Sequence, residues 1–128
     1  MEYIRRVLII DDDATSVFLT KRVVSNMCAG AEIQTAQSGS EGMKLLVEAK
    51  KKRLLPQLIL LDINMHDMSG LTLLEELGKL RVVNLIDTQI VLLTSSVDPL
   101  HIASAKRHMA ATYLPKPLTK QSLLDILA

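Results

Sequence analysis

Residues 58–65 read LILLDINM, an apolar run that ends in a single carboxylate at Asp62. Near the amino terminus, residues 7–13 read VLIIDDD, a second apolar run that ends in acid. Continuous apolar runs of this length are typical of strands buried on both faces, as in a parallel sheet. Packing alone does not explain why two buried strands both end in carboxylates. We therefore expect Asp62 to meet Asp11 and Asp12 at one edge of a sheet.

Strand-like runs alternate with segments of helical spacing along the whole chain. The apolar runs lie at 5–10, 32–36, 57–61, 89–93 and 111–114. Apolar residues at helical spacing predict helices at about 14–28, 39–52, 70–80 and 99–108, and a fifth that begins near 119. This alternation favours an α/β fold in which right-handed crossovers place helices on both faces of a parallel, doubly wound sheet.

The predicted helices have recognisable apolar positions and caps. The apolar positions that carry the helical spacing include Val17, Phe18 and Val24 in the first segment, Leu77 and Leu80 in the third, and Leu123, Leu124 and Leu127 in the last. Ser38 stands three residues before Glu41, which matches a capping box at the start of the second helix. Asp13 is expected to cap the first helix, and Asp98 followed by Pro99 predicts the start of the fourth.

The composition indicates one folded domain and disfavours several classes of protein. A chain of 128 residues fits a single domain, and a hydrophobic content of 48% argues against intrinsic disorder. The net charge of +1 gives no electrostatic case for binding to nucleic acid or to a membrane. The basic run at 50–53 falls at the end of a predicted helix, where cations offset the helix dipole.

The single cysteine and the absence of long apolar segments bear on the cellular location of the protein. Cys28 has no partner for an internal disulfide, and we expect it to be a packed thiol of the first helix. No apolar stretch reaches the roughly 20 residues of a membrane span. The first residues lack the pattern of a signal peptide. We therefore expect a cytoplasmic protein.

Polar residues follow the predicted strands at the edge where open α/β sheets bind ligands. They are Asp11, Asp12, Asp62, Thr94, Ser95, Ser96 and Lys116. Three neighbouring carboxylates repel one another unless a cation joins them, and such hard oxygen ligands suit Mg²⁺. The lysine and the threonine could then bind the oxygens of a phosphoryl group. A carboxylate can itself act as the nucleophile and form an aspartyl phosphate.

Each of these features alone has an ordinary structural explanation. An aspartate after a strand is usually a cap or a turn residue, and Lys116-Pro117 alone is a weak signal. Strand ends that together supply one metal and phosphate site are much harder to explain by accident.

Taken together, these residues resemble the receiver domain of two-component response regulators, including the single-domain regulators of chemotaxis type. The resemblance rests on the segments 8–13, 60–65, 68–70, 93–95 and 113–117, in that order and spacing. It covers essentially the whole chain and implies one receiver domain at 1–128. The implied fold is a flavodoxin-like (βα)5 arrangement with a five-stranded parallel sheet of order 2-1-3-4-5.

The resemblance also implies roles for individual residues. Asp62 would accept a phosphoryl group from the phosphohistidine of a histidine kinase. Asp12 and Asp62 would bind Mg²⁺ directly, Asp11 would bind it through water, and Asn64 would add its backbone carbonyl. These are roles of a signalling switch, which would catalyse at most its own phosphorylation and dephosphorylation.

Further roles follow for residues after the fourth and fifth strands. Thr94, Ser95 and Lys116 would contact the phosphoryl group, and the bond between Lys116 and Pro117 would be cis. Tyr113 matches an aromatic residue whose ring moves inward when Thr94 moves. Asn64 and Ser96 would line the route of the hydrolytic water and so tune dephosphorylation.

The resemblance implies partners but does not name them. A histidine kinase or phosphotransfer protein would supply the phosphoryl group, and an effector protein or an output domain outside this chain would respond to it. Partners would read the surface formed by the fourth predicted helix, the fifth strand and the last helix. That helix carries His101, Lys106, Arg107 and His108, which could influence partner choice. Phosphorylation-dependent homodimerisation through this surface stays open.

The chain departs from the family pattern at three positions. His66 stands where proline usually follows the methionine, which removes a restriction on that loop. The histidine is either an exposed loop residue or a pH-sensitive element. Ser69 replaces a commoner aspartate but can still cap the next helix. Pro115 directly before Lys116 should restrict the approach to the lysine.

Two other functions compete with the phosphorylated switch. A phosphatase of haloacid dehalogenase type also uses an aspartate after a parallel strand, but it needs a second acid where this chain has Asn64. A receiver-like domain that is never phosphorylated would act only as a docking module. A nucleotide-binding domain is disfavoured because residues 39–42, GSEG, form neither a dinucleotide fingerprint nor a P-loop.

Overall fold

A computed structural model describes residues 4–83, 87–95 and 112–127. Within these ranges the strands are β1 (Arg6–Ile10), β2 (Glu32–Ala36), β3 (Leu58–Asp62), β4 (Gln89–Thr94) and β5 (Thr112–Pro115). The helices are α1 (Ala14–Met27), α2 (Gly39–Lys52), α3 (Gly70–Lys79) and α4 (Lys120–Leu127). These bounds agree with the predicted segments to within two residues. The helix predicted at 99–108 lies outside the described residues.

The five strands form one parallel sheet, and β3 lies at its centre. The strand order is β2-β1-β3-β4-β5, as the family resemblance implied. Every residue of β3 is buried, which explains why this strand reads as a continuous apolar run. In the register, Ile10 of β1 lies beside Leu61, and Leu93 of β4 lies beside Asp62. The ends of three neighbouring strands therefore meet at one edge.

Helices cover both faces of the sheet because successive side chains of each strand point to opposite faces. Leu8 and Ile10 of β1 belong to an apolar cluster that includes residues of α2 and α3. Val7 and Ile9 belong to a second cluster on the other face, which includes residues of α1 and α4. The predicted doubly wound α/β architecture is confirmed for the described residues.

Three predicted caps are present at the helix starts. Asp13 caps α1 by accepting a hydrogen bond from the backbone of Thr15, and Ser69 caps α3 in the same way. Ser38 caps α2 by accepting from the backbone N–H of Glu41 at 3.0 Å. The side chain of Glu41 accepts from the backbone of Gln37, one residue before the position expected in a capping box.

Three of the apolar positions that carried the helical spacing are exposed. Phe18 is 61% exposed and Leu124 is 42% exposed, because the residue before each of them, partly buried Val17 and buried Leu123, faces the core instead. Leu80 is 58% exposed because α3 ends at the preceding residue. The period of the pattern placed these helices correctly, but it overestimated the width of their buried faces.

The remaining structural predictions concern the basic run, the cysteine and the membrane. Residues 50–52 form the last turn of α2, and Arg53 caps the helix in a left-handed conformation with φ 57°. Cys28 is buried directly after α1, and burial raises the pKa of its thiol. No helix within residues 4–83, 87–95 and 112–127 is long and apolar enough to cross a bilayer.

Candidate functional site

Three carboxylates meet at the carboxyl edge of the sheet, as the sequence predicted. Carboxylate oxygens of Asp11, Asp12 and Asp62 lie within 4.8 Å of one another. Parallel pairing continues past the two strands that carry them, since the N–H of Asp11 donates to the carbonyl of Ala36 and that of Ile63 donates to Leu93. The sheet therefore holds the backbone of the acidic residues in place.

Lys116, which follows the edge strand β5, pairs with two of these carboxylates. Its Nζ lies 2.8 Å from Oδ2 of Asp11 and 3.1 Å from Oδ1 of Asp62. The lysine directly follows β5, and its backbone N–H donates to the carbonyl of Thr94 at 2.7 Å. Its bond to Pro117 is cis, as the resemblance implied. Burial lowers the pKa of Lys116, but the hydrogen bond and charge of Asp11, with those of Asp62, outweigh it and raise the pKa.

Asp11 is held by three donors and is almost completely buried. Its Oδ1 accepts from the backbone N–H of Asp13 at 3.0 Å. Its Oδ2 accepts both from Lys116 and from the hydroxyl of Ser16, which lies at 2.6 Å. The sequence reasoning missed Ser16. Its position five residues after Asp11, in the first turn of α1, is the signal that could have found it.

Asp12 contacts the loop that follows β3. Its Oδ2 accepts from the backbone N–H of His66 at 2.7 Å and also contacts Nδ1 of the His66 ring. Burial raises the pKa of Asp12, but these hydrogen bonds outweigh it and lower the pKa. The same contact raises the pKa of His66. The ring is exposed, as expected for a loop histidine, yet it pairs with an acid of the cluster.

Asp62 is buried, and its charge is only partly balanced. Burial and the neighbouring charge of Asp11 raise the pKa of Asp62 to about 6, although Lys116 and a backbone hydrogen bond from Asn64 act in the opposite direction. One lysine cannot fully neutralise two buried carboxylates. Three carboxylates with unmet negative charge form the set of hard oxygen donors that Mg²⁺ binds. The residues of this cluster therefore fit a divalent cation.

The described residues that were predicted to sense the phosphoryl group lie on β4 and β5 or directly after β4. Thr94 is buried and lies one residue beyond Leu93, which pairs with Asp62. Ser95 follows it and is exposed. Tyr113 is partly buried against the cluster that includes residues of α3. The predicted residues Ser96, His101, Lys106, Arg107 and His108 lie outside the described residues.

The loop between β3 and α3, residues 63–69, returns to the site where it joins α3. Gly70 opens α3, and a Cβ at this position would lie 2.3 Å from the carbonyl oxygen of Asp62. Only glycine allows this approach of helix to strand. The N–H of Gly70 also donates to the carbonyl of Ile63 at 2.8 Å. The start of α3 is therefore packed directly on the backbone of the candidate nucleophile.

Two clefts flank the cluster. One has a volume of about 200 Å³ and is lined by Asp11, Asp12, Thr35 and Gln37, among others. The other has a volume of about 310 Å³ and lies beside Lys116, between α1 and residues 117–118. Small groups can therefore approach Asp11 and Asp12 through one cleft and Lys116 through the other.

A family model described as the response regulator receiver domain matches residues 7–128. The chain belongs to this family. The match spans both buried strands, the acidic cluster and the segment that carries Lys116. The resemblance to receiver domains and the strand order that it implied are both confirmed.

Relatives of this receiver domain come from several organisms. It is 31% identical over 118 residues to the probable C4-dicarboxylate response regulator DctR of Halalkalibacterium halodurans, covering 92% of this chain and 47% of that protein. It is 29% identical to the two-component response regulator ARR10 of Arabidopsis thaliana, covering 94% of this chain and 20% of the plant protein. The chain therefore spans less than half the length of these two relatives.

A solved structure gives the same fold. The two-component response regulator from Cytophaga hutchinsonii matches with a TM-score of 0.87 at 30% identity. The match covers 97% of this chain and 94% of that one. Receiver domains are signalling switches rather than conventional enzymes, and they interact with histidine kinases and output effectors. This assignment argues against the alternative of a dehalogenase-type phosphatase.

The three departures from the receiver pattern have different structural settings. His66 contacts Asp12, as described above. Ser69 accepts from the backbone N–H of Leu71 at 3.1 Å and so replaces the usual aspartate as the cap of α3. Pro115 is the exposed last residue of β5, at the edge strand of the sheet. A proline is tolerated there because an edge strand has a free side.

Proposed function

We propose that this receiver domain is a phosphorylation-controlled switch in which Asp62 accepts a phosphoryl group from a histidine kinase or a phosphotransfer protein. The observation that carries the proposal is the joint pairing of Lys116 with Asp11 and Asp62. A cation placed against a buried carboxylate at the end of a strand can hold the oxygens of a phosphoryl group on that carboxylate.

The same proposal assigns the acidic cluster to Mg²⁺. Asp12 and Asp62 would bind the ion directly, Asp11 would bind it through water, and Asn64 would offer its backbone carbonyl. Asp11 suits a water-mediated role because its oxygens already accept from the backbone of Asp13, from Ser16 and from Lys116. When bound, the ion neutralises the carboxylates and the incoming phosphoryl oxygens.

The transfer step needs an ionised Asp62. One of its carboxylate oxygens forms a bond to phosphorus, the bond between phosphorus and the imidazole of the donor breaks, and the electron pair remains on the imidazole nitrogen. The metal-free pKa of about 6 leaves part of the Asp62 population protonated near that pH. Neutralisation of the cluster favours the ionised form, and Lys116 then pairs with the transferred group.

Phosphorylation adds charge beside the end of β4 and so biases two conformations of the chain. Thr94 would turn its hydroxyl toward the phosphoryl group, with Ser95 as a further contact, and Tyr113 would follow inward. The response would reach a surface that includes β5, α4 and the helix that the sequence predicts at 99–108. Asn64 and Ser96 would line the path of the hydrolytic water and set the lifetime of the phosphoryl group.

The partners belong to the same proposal. The curated relatives are longer than this chain, so the responding partner is either a separate effector protein or an output domain in a longer protein. Phosphorylation could also favour a homodimer through the responding surface. We place this activity in the cytoplasm, without direct contact to nucleic acid or membrane.

A labelling experiment tests the proposal. Incubation with Mg²⁺ and acetyl phosphate should add one phosphoryl group to the wild-type protein, as measured by intact mass. Asp62→Asn should abolish the added mass, whereas Asp125→Asn, which changes an exposed carboxylate on α4, should leave it unchanged. Equal labelling of the Asp62 variant would refute the assignment.

A second experiment, which needs no kinase, distinguishes the phosphorylated switch from a domain that acts only as a docking module. Beryllofluoride with Mg²⁺ should shift the amide resonances around Asp62 and Thr94 if the chain is a phosphorylated switch. A protein that binds neither Mg²⁺ nor beryllofluoride would instead favour the docking module.

A further inference from the structure

We propose that Asp67 is a positioning residue for the metal site: it fixes the β3–α3 loop to the amino end of α2 and thereby raises the affinity of the acidic cluster for Mg²⁺. This inference rests on the proposed function, because it assumes that the cluster binds the ion and that Asn64 in the same loop contributes a carbonyl.

Asp67 makes three hydrogen bonds across the molecule. Its Oδ1 accepts from the backbone N–H of Gly39 at 3.0 Å. Its Oδ2 accepts from the backbone N–H and from the hydroxyl of Ser40, each at 2.9 Å. The partners lie 28 and 27 residues away in the sequence, so the contact joins two separate segments. These hydrogen bonds lower the pKa of Asp67 to about 2, which keeps its carboxylate ionised at neutral pH.

Helix α2 already has a cap of its own. Ser38 satisfies the backbone N–H of Glu41, and the N–H of Gly42 begins the regular helical hydrogen bonds by donating to the carbonyl of Ser38. Asp67 accepts from the N–H groups of the first two helical residues, Gly39 and Ser40, which have no partner within the helix. Its negative charge also suits the amino end of a helix. The local cap and the tie to the loop are therefore separate contacts that can be removed one at a time.

Packing supports the tie made by Asp67. A Cβ at Gly39 would lie 2.4 Å from Cγ of Met68, the residue after Asp67. The loop therefore lies directly on the first residue of α2, and a larger side chain there would have to displace the side chain of Met68.

Asp67 and its neighbour hold the loop from two directions. His66 donates its backbone N–H to Asp12 after β1, whereas Asp67 accepts from α2. Residue 66 is a histidine, so the loop lacks the backbone restriction that a proline ring would impose there. Hydrogen bonds from the next residue can supply it. A loop ordered before the ion arrives loses less conformational freedom on binding, so the affinity is higher.

The comparison of two variants tests the inference at fixed pH. Asp67→Ala removes the tie, and Ser38→Ala removes the local cap of the same helix while leaving the loop contact in place. Calorimetric titration should show Mg²⁺ binding about tenfold weaker for Asp67→Ala, the order of magnitude typical of lost supporting contacts. The Ser38 variant should bind Mg²⁺ as the wild type does, although urea denaturation should show it to be destabilised.

Asp67→Asn gives a graded control that disturbs the fold less. Its amide oxygen can still accept from one backbone N–H, but its nitrogen cannot accept from the other, so the expected affinity is intermediate. Wild-type affinity in both Asp67 variants would overturn the inference, and so would equal weakening by Ser38→Ala. A wild-type protein that binds no Mg²⁺ would overturn both the proposed function and this inference. Wild-type protein that binds Mg²⁺, with no effect of the Asp67 variants, would overturn the inference alone.

Discussion

Lys116 lies 3.1 Å from Asp62 and pairs at the same time with Asp11, so one ammonium group separates two buried carboxylates. Both carboxylates are nearly inaccessible to water, and the lysine side chain is itself only 17% exposed. The two acids would otherwise face each other with little screening. Lys116 is therefore as much a part of the metal-free fold as of the proposed phosphoryl site.

Removal of the ammonium group should destabilise the protein when no metal is present. Lys116→Met keeps the length of the side chain but leaves two buried carboxylates without their cation. We expect the free energy of unfolding at pH 7 in the presence of a chelator to fall by about 2 kcal/mol, since buried charges that lose a partner are costly. Urea denaturation with and without Mg²⁺ measures this loss.

Mg²⁺ should restore much of the stability lost in Lys116→Met, because the ion neutralises the same carboxylates. Lys120→Met, at the exposed first residue of α4, is the matched control and should change neither curve. An unchanged stability of Lys116→Met in chelator would contradict the structural role of the pair.

Asp62 should make the metal-free protein less stable as the pH rises. Burial and the charge of Asp11 raise its pKa from 3.8 to about 6, so the folded state binds the proton more tightly than the unfolded state does. The stabilising effect of protonation is complete below pH 4 and is lost as the pH rises toward 6 and beyond. A shift of this size corresponds to about 2 to 3 kcal/mol.

Asp62→Asn should remove this pH dependence and should be more stable than the wild type at pH 7 without metal. Urea denaturation in chelator between pH 4 and pH 7 makes the comparison. If the stability of the wild-type protein instead rose with pH in parallel with that of the variant, groups other than Asp62 would dominate the pH dependence.

Ser16 should support the site although it carries no charge. Its hydroxyl donates to Asp11 at 2.6 Å. Ser16→Ala leaves one lone pair of a buried carboxylate without its donor, which should lower the free energy of unfolding by about 1 to 2 kcal/mol. Thermal or urea denaturation measures the loss. Thr15→Ala, which changes an exposed neighbour, should cost distinctly less, and equal losses would argue against the hydrogen bond.

His66 should titrate above its ordinary range in the metal-free protein. The contact with Asp12 raises the pKa of the ring, and NMR titration of the ring protons would measure it. Asp12→Asn should return the pKa toward 6.5, the ordinary value for histidine. Mg²⁺ should act in the same direction, because a cation bound at Asp12 repels the protonated ring. A His66 pKa that responds to neither change would mean that the pair does not persist in solution.

The acidic residues at the strand ends could be placed together from the sequence, because their positions depend only on the topology of the sheet. Once the runs before Asp11 and Asp62 are read as neighbouring parallel strands, their carboxyl ends must lie at one edge. Lys116 follows for the same reason. The cap residues Asp13 and Ser38 were also predictable, since a cap is decided within a few residues.

Contacts made by loops could not be predicted in this way. The hydrogen bonds of Asp67 to α2 and of His66 to Asp12 depend on the path of the β3–α3 loop through space. No periodic pattern encodes that path, and the family resemblance offered no guide, because this chain has no proline at His66. The exposure of Phe18 was missed for a different reason: helical spacing gives the direction of a buried face but not its width.

The distance in sequence between Lys116 and Asp11 has a consequence for the life of the chain. The two residues are 105 positions apart, and the ion pair forms only when β1 and β5 have both joined the sheet. Asp62 lies between them in the sequence and depends on both. A chain still emerging from the ribosome, or one cut between these strands, therefore has Asp62 but not its complete surroundings. Competence to receive a signal would then report that the whole domain has finished folding.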